Sequence, residues 1–238
     1  MRSAPSTAHR FDTLPEGEKK RQAVRQMFDS IAPRYDVMNK AMTFGLDSYW
    51  RRRALSLARL EAGATVLDLA CGTGDFARLL ASRQMEAIGL DYSGGMLARA
   101  RRARASLCEG DAARMPFRDG SFDGLVSGFA LRNFSDLAGT FAEIARVLRP
   151  AGRLALLEVA EPKLPLLRQV HGIWFNSIVP RLGAFSSDPA AYGYLPKSVA
   201  YLPPPAAMLE MLEQAGFYAT RRHLLTGGVV QVLTARKR

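Results

Sequence analysis

At 238 residues, with 48% apolar and 23% charged side chains, the chain suits one large water-soluble domain with a substantial core. Two cysteines without a CxxC pair exclude a disulfide framework, and no apolar run approaches the ~18 residues of a spanning helix. A reducing cytoplasm is the expected compartment, and the net charge of +11 leaves solvated surface, anionic lipid or nucleic acid as its explanation.

Residues 1–17 are polar and proline-containing and are expected to be disordered, with a single domain over 18–238. Val24, Met27, Phe28 and Ile31 then recur at helical spacing against Lys19, Lys20, Arg21 and Arg25. Pro33 predicts an end to that helix, leaving Arg34, Tyr35 and Asp36 in a loop. A second helix is expected over 48–60, closed by Gly63, so that 18–62 form a set of N-terminal helices.

Strands then alternate with helices, the pattern of a mostly parallel α/β sheet covered on both faces. The strands are expected at 65–69, 86–91, 107–110, 122–127 and 153–159, and the helices at 75–82, 95–105 and 137–148. Pro150 and Gly152 predict a turn before the fifth strand. A helix over 206–215 precedes strands at 217–225 and 229–234, joined by Thr226-Gly227-Gly228 as a tight reversal, which makes seven strands with an antiparallel edge pair. Residues 161–205 break the alternation and are rich in proline and aromatics. A segment of that length is expected to be a lid or substrate insertion, or else a plain packing flap.

The stretch from Val66 to Asp75 is an apolar strand turning through Gly72 and Gly74 into a helix. Gly72-x-Gly74-x-x-Ala77 formally satisfies the dinucleotide fingerprint, so a nicotinamide enzyme is one reading. A pyrophosphate, however, needs a helix N-terminus without acids, and Asp68 and Asp75 flank this one. Two carboxylates suit a cationic ligand. Asp91, at the end of the second strand, is placed to accept from both ribose hydroxyls; Asp111, after the third, to accept from an adenine amino group, with the N–H of Ala112 facing a ring nitrogen. Each acid alone reads equally as a cap or turn residue. Together, at three successive strand ends, they point to S-adenosylmethionine, a phosphate-free sulfonium, as methyl donor.

Arg132 and Asn133 follow the fourth strand, beyond the carboxyl ends where an acceptor meets the cofactor. The arginine could instead pair with an acid. The Asn/Asp-Pro-Pro-aromatic run that holds an amino nitrogen and the Pro-Cys nucleophile of cytosine C5 enzymes are both missing, which weighs against a nucleic-acid base as substrate. His9, His171 and His223 have no metal-ligand spacing, and no metal is expected.

Several segments resemble the UbiE/MenG quinone C-methyltransferases: Met27-Phe28-Asp29-Ser30-Ile31-Ala32-Pro33-Arg34-Tyr35-Asp36-Val37-Met38-Asn39 with Thr43-Phe44-Gly45, the glycine loop, Leu131-Arg132-Asn133, Tyr194-Leu195-Pro196-x-Ser198 and Leu225-Thr226-Gly227-Gly228. The resemblance runs from about residue 21 to 237. It implies a class I, Rossmann-like, S-adenosylmethionine-dependent methyltransferase acting on a ring carbon of a polyprenylated quinol, demethylmenaquinol or also the methoxybenzoquinol precursor of ubiquinone. Cofactor contacts would fall on Thr73, Asp91, Asp111 and Ala112, beside Asp68, Gly72 and Gly74 of the loop; substrate-side and catalytic roles on Tyr35, Arg132 and Asn133. The polyprenyl tail would lie under the apolar roof and reach a membrane surface, giving a cytoplasmic protein transiently peripheral at the inner face.

A quinol hydroxyl ionises near the ~10 of tyrosine, and bringing it to ~7 takes about 4 kcal/mol of anion stabilisation. One buried arginine is able to supply much of that, so Arg132 is expected to stabilise the phenolate, directly or through a water that accepts the proton. Asn133 would orient the hydroxyl and Tyr35 close the site. An RNA methyltransferase, an NAD-linked oxidoreductase and a non-catalytic S-adenosylmethionine sensor are the rival readings.

Overall fold

The computed structural model describes residues 16–101, 103, 105–182 and 188–238. The expected disorder over 1–17 falls almost wholly outside these; Gly17 already opens the first helix. Strands β1 (Thr65–Leu69), β2 (Glu86–Asp91), β3 (Ser106–Glu109), β4 (Phe122–Gly128), β5 (Leu148–Val159), β6 (Phe217–Leu225) and β7 (Val230–Lys237) form one sheet in the order β3-β2-β1-β4-β5-β7-β6. The first five run parallel, and β7 is antiparallel to both β5 and β6.

Helices on both faces explain the near-continuous apolar runs of the central strands. Leu67, Leu69, Leu125 and Phe122 pack with Phe141 and Ile144 of α6 (Leu137–Val147) and Leu212 of α10 (Pro205–Gln214) on one face. Val66, Val126, Ala155 and Val232 pack on the other against α3 (Leu46–Ala58) and α4 (Asp75–Ser82). A third cluster, of Met27, Ile31, Met38, Met96 and Tyr194, joins α1 (Gly17–Ile31), α2 (Tyr35–Thr43), α5 (Gly94–Ala100) and α9 (Pro189–Ser198). Strand order reverses between β1 and β4, so the loops leaving those two strands diverge and open a crevice at their carboxyl ends.

Three local expectations are corrected. Tyr35 and Asp36 are not in a loop: Ala32–Arg34 is a 3-10 turn and Tyr35 opens α2. Pro33 sits in the first positions of that turn, where no backbone N–H is needed, so it starts a helical segment as readily as it ends one. Strand β5 begins at Leu148, opposite Phe122, and not at 153; the turn expected at Pro150 and Gly152 interrupts it as a bulge, where Ala151 takes a φ of 62° and the register shifts. The helix expected over 95–105 stops at Ala100.

Residues 161–205 contain α7 (Pro165–Ile173), a π-helical turn Trp174–Ile178, α8 (Val179–Leu182), α9 and a 3-10 turn Val199–Tyr201. Among the described residues no helix is long and apolar enough to cross a membrane.

Candidate active site

The loop after β1 is wound repeatedly through left-handed backbone, with φ of 54° at Ala70, 56° at Gly72 and 85° at Gly74. Only glycine visits this region without cost. Gly74 has a second reason to lack a side chain, since a Cβ there would stand 2.6 Å from Cβ of Ala103. Asp91 holds the loop from β2: its Oδ2 accepts the Gly72 N–H at 2.7 Å and its Oδ1 the Ser93 N–H at 2.8 Å. Each oxygen keeps acceptor capacity for a further donor. Burial raises its pKa, against the backbone N–H groups that lower it.

Asp91, Tyr92, Met96, Asp111 and Ala112 line one pocket, with Gly72 and Gly128 at its floor. Asp111 is less available than its spacing suggests. Its Oδ2 accepts from Arg21 at 2.9 Å and its Oδ1 from the Ala113 N–H at 2.9 Å. A second, small cleft adjoins the first and is lined by Tyr35, Arg51, Asp68, Thr73, Asp75 and Gly128. Asp68 is 1% exposed and accepts the Ala77 N–H at 3.0 Å, so it caps α4, and burial pushes its pKa up to about 8. Asp75 is not the unpaired anion that its place at the helix start suggested. It pairs with Arg78 and with Arg51, at 3.2 Å to the latter, and Arg51 is also held by Asp47 at 2.7 Å. The Thr73 hydroxyl donates to Asp36 at 2.6 Å, tying the loop to α2.

The carboxylates lining this cleft suit a cation better than a pyrophosphate. A pyrophosphate would have to approach an α4 N-terminus already capped by one carboxylate and flanked by another. A cation meets the opposite situation, because Asp68 can ionise to receive it.

On the substrate side, β4 ends at Gly128, Phe129 takes a φ of 61°, and Leu131–Asn133 form a 3-10 turn. The turn sends Arg132 inward, 6% exposed, onto Glu158 of β5, which is fully buried. Nη1 of Arg132 donates to Oε1 of Glu158, and the Arg132 backbone N–H reaches Oε2 at 3.3 Å. Nε of Arg132 is buried with no acceptor among the described residues. Asn133 donates weakly to the Phe129 carbonyl at 3.5 Å and accepts from the Tyr194 hydroxyl at 3.4 Å.

Arg132 stands in the wall of a third cavity, of about 410 Å³, whose lining includes Met27, Phe28, Ile31, Trp50 and Trp174. Such a volume and apolar lining are those of a small-molecule site. Tyr35 borders all three spaces. Burial pushes its phenol up, against the pull of Arg51 and Arg132, so it stays a neutral donor.

The profile of the ubiE/COQ5 methyltransferase family matches residues 16–237. The chain belongs to this family. A demethylmenaquinone methyltransferase of Deinococcus radiodurans is 42% identical over 235 residues, covering 94% of this chain and 97% of the relative. A ubiquinone/menaquinone biosynthesis C-methyltransferase UbiE of Geotalea daltonii is 34% identical over 238 residues, covering 95% and 100%. Among solved structures, an S-adenosylmethionine-dependent methyltransferase of Thermotoga maritima, described as a possible histamine N-methyltransferase, superposes with a TM-score of 0.65 at 17% identity, covering 90% of this chain and 99% of that one. This ubiE/COQ5 chain is thus a class I methyltransferase in fold, and S-adenosylmethionine is its methyl donor.

In this ubiE/COQ5 member the expected site residues converge unevenly. Tyr35, Gly72, Asp91, Asp111, Ala112 and Asn133 meet around the first pocket, and Asp68 and Thr73 join Tyr35 in the cleft. Arg132 faces the apolar cavity. Gly74 lines none of the three and serves the turn alone. Sequence reasoning missed Glu158, Arg51 and Asp36. Glu158 carried a signal, being an acid within the apolar run 154–159 of a covered strand, where a charge requires a partner.

Proposed function

We propose that this methyltransferase converts demethylmenaquinol to menaquinol, the methyl passing to a ring carbon of the polyprenylated quinol in menaquinone biosynthesis. The observation that carries the reading is the junction at Tyr35, where a polar cleft for the methyl donor opens onto a large apolar cavity with a single buried guanidinium in its wall. The names of the relatives support it.

When bound, S-adenosylmethionine supplies an electrophilic methyl on a sulfonium. Asp91 would take the ribose hydroxyls, Asp111 and Ala112 the adenine edge, and Asp68 the charged end of the donor. On the acceptor side, Nη2 of Arg132, which makes no hydrogen bond among the described residues, would be the donor for a quinol oxygen. Because Glu158 balances the guanidinium, Arg132 would stabilise the oxyanion by a directed hydrogen bond in a dry cavity more than by net charge. This tempers the full anion stabilisation expected of an unpaired arginine. Asn133 would orient the hydroxyl, and the neutral Tyr35 would screen the junction from water. Residues 161–205 would act as a lid, with the isoprenoid tail leaving between α2 and α7.

Incubation with labelled methyl donor and reduced demethylmenaquinone, followed by mass analysis of the lipid, tests this reading. One added methyl on the naphthoquinol ring is expected; an unlabelled lipid would refute it. The similarity to a relative named for both quinones favours a second substrate, the 2-polyprenyl-6-methoxy-1,4-benzoquinol precursor of ubiquinone, to be offered in the same assay.

A further inference from the structure

Among the described residues, ten large apolar side chains are exposed, and eight of them fall in two short segments: Val37, Phe44, Leu46 and Tyr49 in the first, Leu164, Leu166, Val170 and Ile173 in the second. These segments meet in space. The Phe44 ring packs on Trp174 with centroids 4.5 Å apart, and the Trp174 indole N–H donates to the Met42 carbonyl at 3.1 Å. Phe44, Leu46 and Val170 are at once exposed and part of the lining of the large cavity, so the cavity opens where the two segments meet.

Helix α7 has one broad apolar face, with Arg168 on its far side, and only the inner edge of that face meets the cavity. Leu167, His171 and Trp174, spaced i, i+4 and i+7, line the cavity, while Leu166, Val170 and Ile173, with the same spacing one residue earlier, point to solvent at 74%, 57% and 58% exposure. No residue of α7 is fully buried. An amphipathic helix with part of its apolar face uncovered suits a lipid interface, and this one has no core over the outer edge of that face. Basic side chains lie near the patch: Lys40 stands one turn from Val37 on α2, Lys163 precedes Leu164, and Arg168 is on the polar side of α7. Of the nearby acids, Glu161 reaches Arg168 only at 3.9 Å.

We infer that the face formed by the end of α2, the start of α3 and the outer side of α7 docks on a bilayer carrying anionic headgroups, with Leu166, Val170 and Ile173 entering the headgroup–acyl boundary. The inference rests on the quinol reading above and gives it an entry: the cavity mouth lies within the inserted patch, so a long-tailed substrate passes from bilayer to cavity without crossing water. Exposed apolar side chains with lysines beside them suit an anionic interface. A second copy of this chain suits the patch poorly, because it would set Lys40 and Lys163 against their own like charges in a protein of net charge +11.

Vesicle flotation decides it, using phosphatidylcholine vesicles with and without phosphatidylglycerol. The native protein is expected to float with the phosphatidylglycerol vesicles, less so in high salt. The Leu166→Asp/Ile173→Asp variant, altered at two side chains that do not line the cavity, is expected to bind roughly tenfold more weakly or worse. Lys40→Ala/Lys163→Ala should lose the preference for anionic lipid. In activity assays the aspartate variant should methylate a tail-free demethylmenaquinol analogue in solution at the native rate and lose turnover of long-tailed quinol held in vesicles. Native protein that fails to float, or an aspartate variant that floats as the native does, would overturn the docking face. So would a concentration-dependent dimer that the same substitutions dissolve. Failure of the native protein to methylate either quinol counts against the proposed reaction instead, and flotation still judges the docking face.

Discussion

Arg132 and Glu158 form an ion pair closed to solvent on both sides, the guanidinium 6% and the carboxylate 0% exposed. Glu158 does more than balance charge. It also accepts the N–H groups of Arg132 and of Val159, the latter at 2.9 Å, so one carboxylate fixes both the 3-10 turn after β4 and the end of β5. The orientation of the guanidinium, and so of its unpaired Nη2, is therefore set from behind the site.

Removing either partner alone leaves a buried group uncompensated, at a cost of about 3–5 kcal/mol, whereas an apolar pair of similar volume is often tolerated. Arg132→Ala should lower turnover by roughly 100-fold or more while leaving S-adenosylmethionine affinity nearly unchanged. Glu158→Gln should lower both stability and turnover. Arg132→Met/Glu158→Leu is the discriminating variant: thermal melting should recover toward native and turnover should not. If turnover returned with stability, the pair would be structural only.

Asp91 makes the next expectation quantitative. Hydrogen bonds to a charged acceptor contribute about 1.5–3 kcal/mol each, so losing two ribose contacts with Asp91→Ala should weaken S-adenosylmethionine binding by roughly 100-fold or more. Part of the loss would come through Gly72, whose N–H is tied to the same carboxylate at 2.7 Å. Calorimetric titration measures the affinity, and thermal shift with S-adenosylmethionine but none with NADH separates the two cofactor classes. Unchanged affinity would move the ribose elsewhere.

Strands β1, β2 and β6 match the boundaries expected from sequence, because each is an apolar or alternating run cut off sharply by turn residues. The acids at the ends of β1 and β2 were legible for the same reason: the strand ends locate them. Their partners were not legible. Asp111 is held by Arg21 from a helix 90 positions away, Asp75 by Arg51 on α3, and Arg132 by Glu158 across β4 and β5. Local pattern carries no record of such pairings, which arise only when the sheet order brings the elements together. Pro33 misled for a different cause: its chemistry permits both an end and a beginning, and the packing of Met38 into the cluster with Met27 and Ile31 decides for a beginning.

The two loop glycines should respond unequally to alanine. Gly72 has a φ of 56° and open space where an added methyl would stand, so Gly72→Ala should cost about 1–2 kcal/mol from backbone conformation alone. Gly74 adds to its φ of 85° a contact of 2.6 Å with Ala103, and Gly74→Ala should cost more than that. Denaturant midpoints give the order; equal losses would mean that the 103 region yields freely.

Asp68 predicts the sign of a pH effect. Its carboxyl holds a proton up to about pH 8 in the folded chain, against an ordinary value of 3.8, because burial outweighs the Ala77 N–H and the charge of Arg51. Between those two values the folded state binds the extra proton, so this group's contribution to stability is complete below about pH 4, falls as pH rises, and is gone above about pH 8. Asp68→Asn should remove that slope, gaining on the native protein as pH rises through the window in denaturant titrations. S-adenosylmethionine brings a positive charge to the cleft and favours the ionised form, so its binding near pH 7 should release a proton and tighten as pH rises toward about 9. Titration calorimetry in buffers of different ionisation enthalpy reads the proton directly. A binding enthalpy independent of buffer, or an Asp68→Asn variant with the same pH dependence, would mean that Asp68 only caps α4 and takes no part in receiving the donor's charge.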